Sequence, residues 1–146
     1  MEDKCYKLLI KLARKAIRKG EIPVSALIVY NNKILASAYN KRKRSHLAIS
    51  HAEVLVINKA SRKLKDWRLA ECDLYVTLKP CSMCESIIKQ ARIRNVYYLV
   101  DKPNEKREYY KTNFTKANTG TQEEEYSQEL KDFFQKKRDK NRVSMV

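Results

Sequence analysis

The spacing of apolar residues near the start of the chain predicts one amphipathic helix followed by a β-hairpin. Apolar side chains recur at helical spacing over residues 3–19, with Lys and Arg on the other face, and Gly20 follows as the expected C-terminal cap. Two mostly apolar runs, 23–30 and 33–39, predict strands. Asn31-Asn32 between them predicts a tight turn, because Asn tolerates positive φ.

Helix and strand patterns alternate in the rest of the chain. They predict a helix at 51–64, a central strand at 73–78, a helix at 81–91, a strand at 94–100 and a final helix with a capping box at Thr121 and Glu124. Residues 101–120 predict a long surface loop, with a helical turn or short strand near Tyr109–Phe114. This order predicts an α/β fold, with one domain over residues 1–146. We expect a three-layer α/β/α sandwich around a mixed central sheet of about five strands.

Composition favours a folded domain that lies outside the membrane. The length of 146 residues is typical of one domain, and no apolar run approaches the roughly 20 residues that cross a bilayer. Charges within Met1–Lys4 do not suit a signal peptide, so a cytoplasmic protein is expected. The only glycines, Gly20 and Gly120, are too few for a glycine-rich phosphate loop. Cys5 and Cys72 are expected to be buried free thiols in a reducing compartment.

The charge of the chain points to a polyanionic partner. Lys and Arg number 32 against 17 Asp and Glu, which gives +15. The densest cluster is Lys41-Arg42-Lys43-Arg44, which predicts a surface loop able to attract phosphates. An ordinary solvated loop is another interpretation of this run, and an AT-rich genome would raise the Lys content without a functional cause. The overall charge favours nucleic acid as the partner.

Two short motifs carry candidate chemistry. His51-Ala52-Glu53 starts one predicted helix, and Pro80-Cys81-Ser82-Met83-Cys84 starts another. Cys-x-x-Cys at a helix start puts two thiols on one side, near the positive end of the helix dipole, which favours metal binding. With His51 as a third ligand, zinc would keep an open position for water, and Glu53 would act as proton shuttle. A redox dithiol, a disulfide, or half of a structural zinc site are the other interpretations of the Cys pair.

Further motifs extend this pattern over nearly the full length of the chain. They are Glu21-Ile22-Pro23-Val24, Tyr39-Asn40, Leu74-Tyr75-Val76-Thr77-Leu78, Ala91-Arg92-Ile93, and Asp132-Phe133-Phe134 with Lys137-Arg138. Together with the H-x-E…P-C-x-x-C signature of zinc nucleobase deaminases, they make the chain similar to the bacterial tRNA-specific adenosine deaminases of the cytidine deaminase-like superfamily. The terminal helix favours the tRNA branch, because many small-molecule deaminases of this superfamily lack it.

The resemblance implies a hydrolase acting on an amidine C–N bond. Its reaction would be zinc-dependent deamination of adenosine to inosine at the wobble position of a tRNA anticodon. One zinc ion per chain would be held by His51, Cys81 and Cys84, and Glu53 would move protons. Asn40 is implied as a contact to the purine edge, with an ordinary turn residue as the alternative. The resemblance also implies a homodimer formed through helices near the zinc site. The other implied contacts to the anticodon stem-loop are Val24, Lys41, Arg42, Lys43 and Arg44.

The chain departs from the family pattern around the expected substrate entrance. Leu47-Ala48 stands where the family usually has Asp-Pro, Lys79 stands where Glu is common, and the loop after Val100 lacks the usual small residues. Recognition of the base and of the anticodon is therefore open. One alternative is a deaminase of free guanine, cytosine or their nucleosides, for which a charge of +15 would be needless. A second is a non-catalytic RNA-binding subunit that keeps the fold and the zinc.

Overall fold

The computed structural model describes residues 2–102, 110–117 and 120–144. Contacts divide the chain into two compact units, Met1–Lys106 and Arg107–Val146. The expectation of one deaminase domain over residues 1–146 stays a prediction. No helix within the described residues has the length and apolar character needed to span a membrane.

The first unit alternates helices with the strands of one sheet. Its elements are α1 (Glu2–Arg18), β1 (Ser25–Tyr30), β2 (Lys33–Tyr39), α2 (Arg42–Ser45), α3 (Ala52–Leu64), β3 (Cys72–Leu78), α4 (Ser82–Gln90) and β4 (Asn95–Val100). The strand order is β2-β1-β3-β4, so β1 and β3 are central. Strand β1 runs antiparallel to β2 and β3, whereas β3 and β4 are parallel. The mixed sheet and its central strand at 73–78 are confirmed.

The sheet has four strands in the described residues, and the expectation of about five was wrong. The sequence had also suggested a helical turn or a short strand near Tyr109–Phe114, of which Tyr109 lies outside the described residues. Residues 110–114 form neither a strand nor a helical turn. Tyr110 and Phe114, the two large apolar side chains of this segment, are almost fully exposed, so the segment offers no face that a sheet could bury.

Two backbone turns confirm the predictions made at the start of the chain. Gly20 adopts φ +76° after α1. The N–H groups of Gly20 and Glu21 bond the carbonyls of Ile17 and Ala16, which is the Schellman pattern of a helix C-terminus. Asn31 and Asn32 adopt φ 52° and 61°, as a two-residue hairpin turn requires. The turn at Gly20 places Glu21 directly beside the end of α1.

Successive side chains of β1 point to opposite faces of the sheet, and helices pack on both faces. Leu27 and Val29 pack with Cys5 and Leu9 of α1. Ala26 and Ile28 point the other way, into a cluster that includes residues of α3 and α4. The first unit therefore has the three layers predicted from the order of elements. Cys5 and Cys72 are buried free thiols, as expected.

The two edges of the sheet differ. At the β2 edge, Lys59 and Lys63 of α3 donate from Nζ to the carbonyls of Ser37 (2.8 Å) and Leu35 (2.6 Å). These bonds occupy backbone acceptors that an edge strand would otherwise present to solvent. At the β4 edge, the four consecutive residues of 97–100 carry large apolar side chains that are exposed on both faces of the sheet.

The described part of the second unit comprises residues 110–117, which have no regular structure, Gly120, and the helix α5 (Thr121–Ser144). The predicted helix is confirmed, but its capping box is not. The carbonyl of Gly120 accepts the N–H of Glu124, so the helix starts at Thr121 itself and Gly120 occupies the position before it. Lys116 Nζ lies 2.7 Å from Glu123 Oε1, which ties the preceding segment to the first turn of α5.

The buried phenol of Tyr75 gives a prediction for alkaline stability. Burial, followed by the nearby Cys5 and Glu2, raises the pKa of Tyr75 from 10.0 to about 12. The unfolded chain loses this proton first, so stability falls as the pH rises from about 10 to 12, by on the order of 2 kcal/mol. We expect Tyr75→Phe to lose less stability than the wild type over this range in urea unfolding. Tyr110→Phe, at an almost fully exposed position, is the control. Equal losses in Tyr75→Phe and wild type would contradict the assignment.

Candidate active site

His51, Cys81 and Cys84 lie together because two helices start side by side. His51 immediately precedes α3 and Cys81 immediately precedes α4, each with extended backbone, φ −72° and −71°. Their carbonyls accept the N–H groups of Leu55 and Glu85, the first bonds of the two helices. Cys84 follows within the first turn of α4. All three side chains therefore lie at the positive ends of helix dipoles, where anionic ligands and thiolates are stabilised.

The distances among these side chains suit a tetrahedral metal. His51 Nδ1 lies 3.8 Å from Cys81 Sγ and 3.5 Å from Cys84 Sγ. The three candidate ligand atoms all lie within 4.8 Å of one another. Zinc bonds of about 2.0 Å to nitrogen and about 2.3 Å to sulfur at a tetrahedral angle place these atoms about 3.6 Å apart. The donor set and its spacing thus fit zinc, and the three residues that the sequence singled out are the ones brought together.

Glu53 faces this group from the first turn of α3. The residue is only 4% exposed, and its Oε1 atom has no hydrogen-bond partner among the described residues. Burial raises the pKa of Glu53, while its own backbone N–H and the Cys84 thiol act in the opposite direction. Burial also raises the pKa of Cys84, and the charges of Glu53 and Cys81 add to this effect. A buried carboxylate oxygen without a partner is costly, so it fits a group from outside the protein, such as water or substrate.

Asn40 lies at the end of β2 and is tied to the chain on both sides. Its N–H donates to the carbonyl of Val24 at 2.9 Å, and the next N–H, that of Lys41, donates to the carbonyl of Ser50 at 2.9 Å. The second bond brings Asn40 alongside the residue that precedes His51. Val24 packs partly against the core cluster that contains Ala52. Asn40 and Val24 are therefore neighbours close to the start of α3.

The basic run was expected as a loop, and the structure shows otherwise. Residues Arg42–Ser45 form the single helical turn α2, with exposed cationic side chains. Lys41 is half-buried, and its Nζ lies 5.1 Å from the centre of the Tyr39 ring. The turn forms because its first backbone N–H groups find an acceptor elsewhere in the chain.

That acceptor is Glu21, a residue whose role sequence reasoning missed. Glu21 is 6% exposed, and Lys43 N–H donates to its carboxylate oxygens at 2.6 and 3.2 Å. The N–H of Arg44 donates to the same carboxylate at 3.3 Å. The conformation of the basic turn therefore depends on a carboxylate 22 residues earlier in the chain. One signal in the sequence could have pointed to this role: a single acidic residue, Glu21, directly follows the Gly20 cap and precedes the strand β1.

A cavity of about 630 Å³ lies between this turn and the end of β2. Its lining residues are Gly20, Glu21, Ile22, Asn40, Arg42, Lys43, His46, Leu47 and Ala48. Two of the four predicted cations, Arg42 and Lys43, thus share a cavity with the predicted base contact, Asn40. Leu47-Ala48, one departure from the family pattern, lines the same cavity. Lys79, another departure, lies at the other edge: its N–H bonds the carbonyl of Val100, and its Nζ is 5.9 Å from the Tyr98 ring centre.

Comparison with known proteins identifies the family. The MafB19-like deaminase family matches residues 1–138. The chain belongs to this family. Its membership agrees with the His-Cys-Cys group and the buried Glu53, the two features expected of a deaminase site.

Relatives of this MafB19-like deaminase confirm the resemblance found in the sequence. The tRNA-specific adenosine deaminase of Bacillus subtilis (strain 168) is 44% identical over 98 residues, which are 66% of this chain and 61% of that protein. The chain thus spans about three fifths of that relative's length. A solved tRNA:A34 deaminase, associated with A-to-I editing at the wobble position of transfer RNA, is 36% identical with a TM-score of 0.68 over 70% of this chain and 78% of its own.

A guanine deaminase from Bacillus subtilis is also similar in structure. Its TM-score is 0.76 at 25% identity, and the match covers 90% of this chain and 94% of the guanine deaminase. Both solved structures support the α/β deaminase fold. The names of the two neighbours state different substrates. The fold therefore does not identify the base, and the residues of the site must distinguish the two possibilities.

Glu21 gives a testable prediction for the wall of the cavity. Glu21→Gln removes the negative charge that strengthens the bonds from the two N–H groups to Oε1, and it replaces Oε2, which accepts from Lys43 N–H at 3.2 Å, by an NH2 group that cannot accept. We expect the free energy of unfolding to fall by about 1–3 kcal/mol. Trypsin should also cleave faster within residues 41–44. Chemical denaturation and mass mapping of tryptic cuts measure both effects. The control is Glu85→Gln, which removes an exposed i,i+4 pair with Lys89 and should change stability by less than about 0.5 kcal/mol. Unchanged cleavage in Glu21→Gln would refute its role in holding the turn.

Proposed function

We propose that this chain is a zinc-dependent hydrolase that converts adenosine to inosine at the wobble position of a tRNA anticodon. The observation that carries the proposal is the buried Glu53 beside the His51, Cys81 and Cys84 group, with an unpartnered oxygen among the described residues. The names of the B. subtilis relative and of the tRNA:A34 deaminase support adenosine in tRNA as the substrate.

Each site residue has a role in the proposed reaction. Zinc would be held by His51 Nδ1 and by the Sγ atoms of Cys81 and Cys84. When bound, zinc supplies a hydroxide nucleophile near neutral pH, because it lowers the pKa of a water ligand to about 7. Glu53 takes a proton from the attacking water and delivers protons to the base and to the departing ammonia. The C6–N6 bond of adenine breaks, water provides the new oxygen at C6, and inosine and ammonia are the products.

The cavity lined by Asn40 would bind and orient the substrate. The Asn40 side chain would hydrogen-bond the purine edge, and Val24 would contact the base from the adjacent strand. The cations of Lys41, Arg42, Lys43 and Arg44 would hold phosphates of the anticodon loop, whose base is extruded into the pocket. The charge of +15 supports a polyanionic substrate over a free base. The proposal includes a single deaminase domain over residues 1–146, a homodimer and a cytoplasmic location.

Deamination of free guanine is the second candidate function. The higher TM-score and coverage of the guanine deaminase neighbour favour it. The positive charge and the higher sequence identity of the tRNA deaminases count against it. The two candidates share the metal group and Glu53, so only the substrate separates them.

Metal content tests the proposed ligand set without reference to activity. Purified protein should carry about one zinc ion per chain by mass spectrometry of the metal. Cys84→Ser should lose most of it, because a hydroxyl is a weak zinc ligand. Cys72→Ser, at a buried free thiol outside the group, is the matched control and should keep its zinc. Equal zinc content in the two variants would exclude Cys84 as a ligand.

Replacement of Glu53 tests the reaction itself. Glu53→Gln keeps the size of the side chain but cannot accept a proton, so inosine formation should fall at least 1,000-fold while zinc stays bound. Sequencing of treated tRNA, in which inosine is copied as G, measures the product. Glu85→Gln, on the exposed face of α4, is the control. Full activity of Glu53→Gln would disprove the mechanism. Ammonia release from guanine with no change in tRNA would instead select the second candidate.

A further inference from the structure

The solvent face of α1 carries a stripe of positive charge, which we call the α1 stripe. It consists of Lys4, Lys7, Lys11, Arg14, Lys15 and Arg18. At 3.6 residues per turn these six residues fall within an arc of about 100° around the helix, and all six are exposed. The two acidic residues of the helix, Glu2 and Asp3, lie outside this arc in the first turn. The buried side chains Cys5, Leu9 and Ala16 lie on the opposite side.

This arrangement is unfavourable for the helix itself. Lys7 and Lys11, Lys11 and Lys15, and Arg14 and Arg18 are like charges at the spacing i, i+4, which destabilises a helix. Within the described residues, one cation of the stripe has an acidic partner: Lys7 Nζ lies 3.1 Å from the Asp3 carboxylate. The helix dipole favours cations only in the last turn. The first half of the stripe therefore has no structural cause.

The high Lys content of the chain does not explain the stripe either. Helix α1 has six basic and two acidic residues, whereas the longer helix α5 has six of each. A genome that favours Lys codons would raise the Lys content of both helices. The unequal balance of charge therefore indicates that α1 has an anionic partner.

The α1 stripe continues to the basic turn at the cavity. The Nζ atoms of Lys15 and Lys41 lie 5.7 and 5.1 Å from the centre of the same ring, that of Tyr39. At the end of the helix, a Cβ atom on Gly20 would lie 4.0 Å from Lys43 Nζ, and both residues line the cavity. The stripe is about 21 Å long at 1.5 Å per residue. A row of cations thus runs along α1 to the cavity, entirely within the first unit.

We propose that the α1 stripe binds the phosphate backbone of the stem of an RNA hairpin whose loop enters the cavity. The proposal rests on the proposed function, because it takes a loop base as the group that enters the cavity. Cations that contact phosphates hold a nucleic acid in place without reading its sequence. RNA that continues from a loop bound at the cavity meets the surface that borders the cavity. An anionic lipid surface is disfavoured, because Cys5 and Leu9 on the apolar side of α1 are buried against the sheet.

Neutralising part of the stripe tests the proposal in the full-length protein. The variant is Lys11→Gln/Arg14→Gln/Arg18→Gln. The probes are a synthetic RNA hairpin with an adenosine in its loop and the same loop as a linear RNA. Fluorescence anisotropy should show at least tenfold weaker binding of the hairpin, with a log–log salt dependence that is shallower by about two. Affinity for the linear RNA should fall by less than about threefold.

A control with the same net charge separates the stripe from general attraction. Lys33→Gln/Arg62→Gln/Lys65→Gln removes three exposed cations outside α1 and should weaken binding of either RNA by less than about threefold. The stripe variant should melt at or above the wild-type temperature, because like charges no longer repel, so unfolding would not account for weaker binding. Equal affinity of the two variants for the hairpin would overturn the proposal. Equal losses of the stripe variant with hairpin and linear RNA would also overturn it.

Inosine formation by the control variant tests the proposed function separately. Binding of the hairpin that depends on the stripe, with no inosine formed in any RNA, would reject the proposed reaction and support the stem-binding surface. Inosine formation with equal hairpin affinities would reject the stem-binding surface alone. Vesicles that contain phosphatidylserine are the remaining probe. If the stripe variant lost vesicle binding but kept hairpin binding, the surface would be assigned to anionic lipid and the proposal would be wrong.

Discussion

The candidate site depends on the packing of two helices against one face of the sheet. Residues of α3 and α4 share a cluster with the alternate side chains of β1 and β3. This packing brings the two helix starts together, so that His51 and Cys81 face each other at the positive ends of both helix dipoles. Apolar burial in the core thus sets the distances of 3.5 and 3.8 Å between the candidate ligands. The chemistry of the site is a consequence of where the helices begin.

The cavity beside Asn40, where we propose that substrate binds, is held by a different kind of interaction. Asn40, the basic turn and the cavity wall are held by individual hydrogen bonds: Asn40 to Val24, Lys41 to Ser50, and the backbone of α2 to Glu21. Such a wall tolerates substitution more readily than a packed core does. Leu47-Ala48, where the chain departs from the family pattern, lies in this cavity lining, whereas His51, Cys81 and Cys84 form the candidate metal group.

The sequence was sufficient for features that follow from local spacing. Helix and strand periods located every regular element of the described first unit except α2, and the motifs at His51 and Cys81 located the candidate metal group. Sequence patterns could not predict hydrogen bonds between residues that are far apart in the chain. Nothing in the run Lys41–Arg44 shows that a carboxylate 22 residues earlier accepts its backbone N–H groups. The expectation of about five strands was wrong for a related reason, because β propensity near Tyr110 and Phe114 means little where both side chains are almost fully exposed.

The unequal edges of the sheet have a consequence for the behaviour of the protein at high concentration. Lys59 and Lys63 occupy carbonyls of β2, which blocks that edge to strand addition by another molecule. The β4 edge combines exposed apolar side chains with the outermost strand in the described residues. Edge-to-edge pairing would therefore join the β4 strands of two copies and stop at that pair, because the β2 edge of each copy is blocked. A charged residue introduced at Leu99 would oppose this pairing, because it would place like charges of two copies close together.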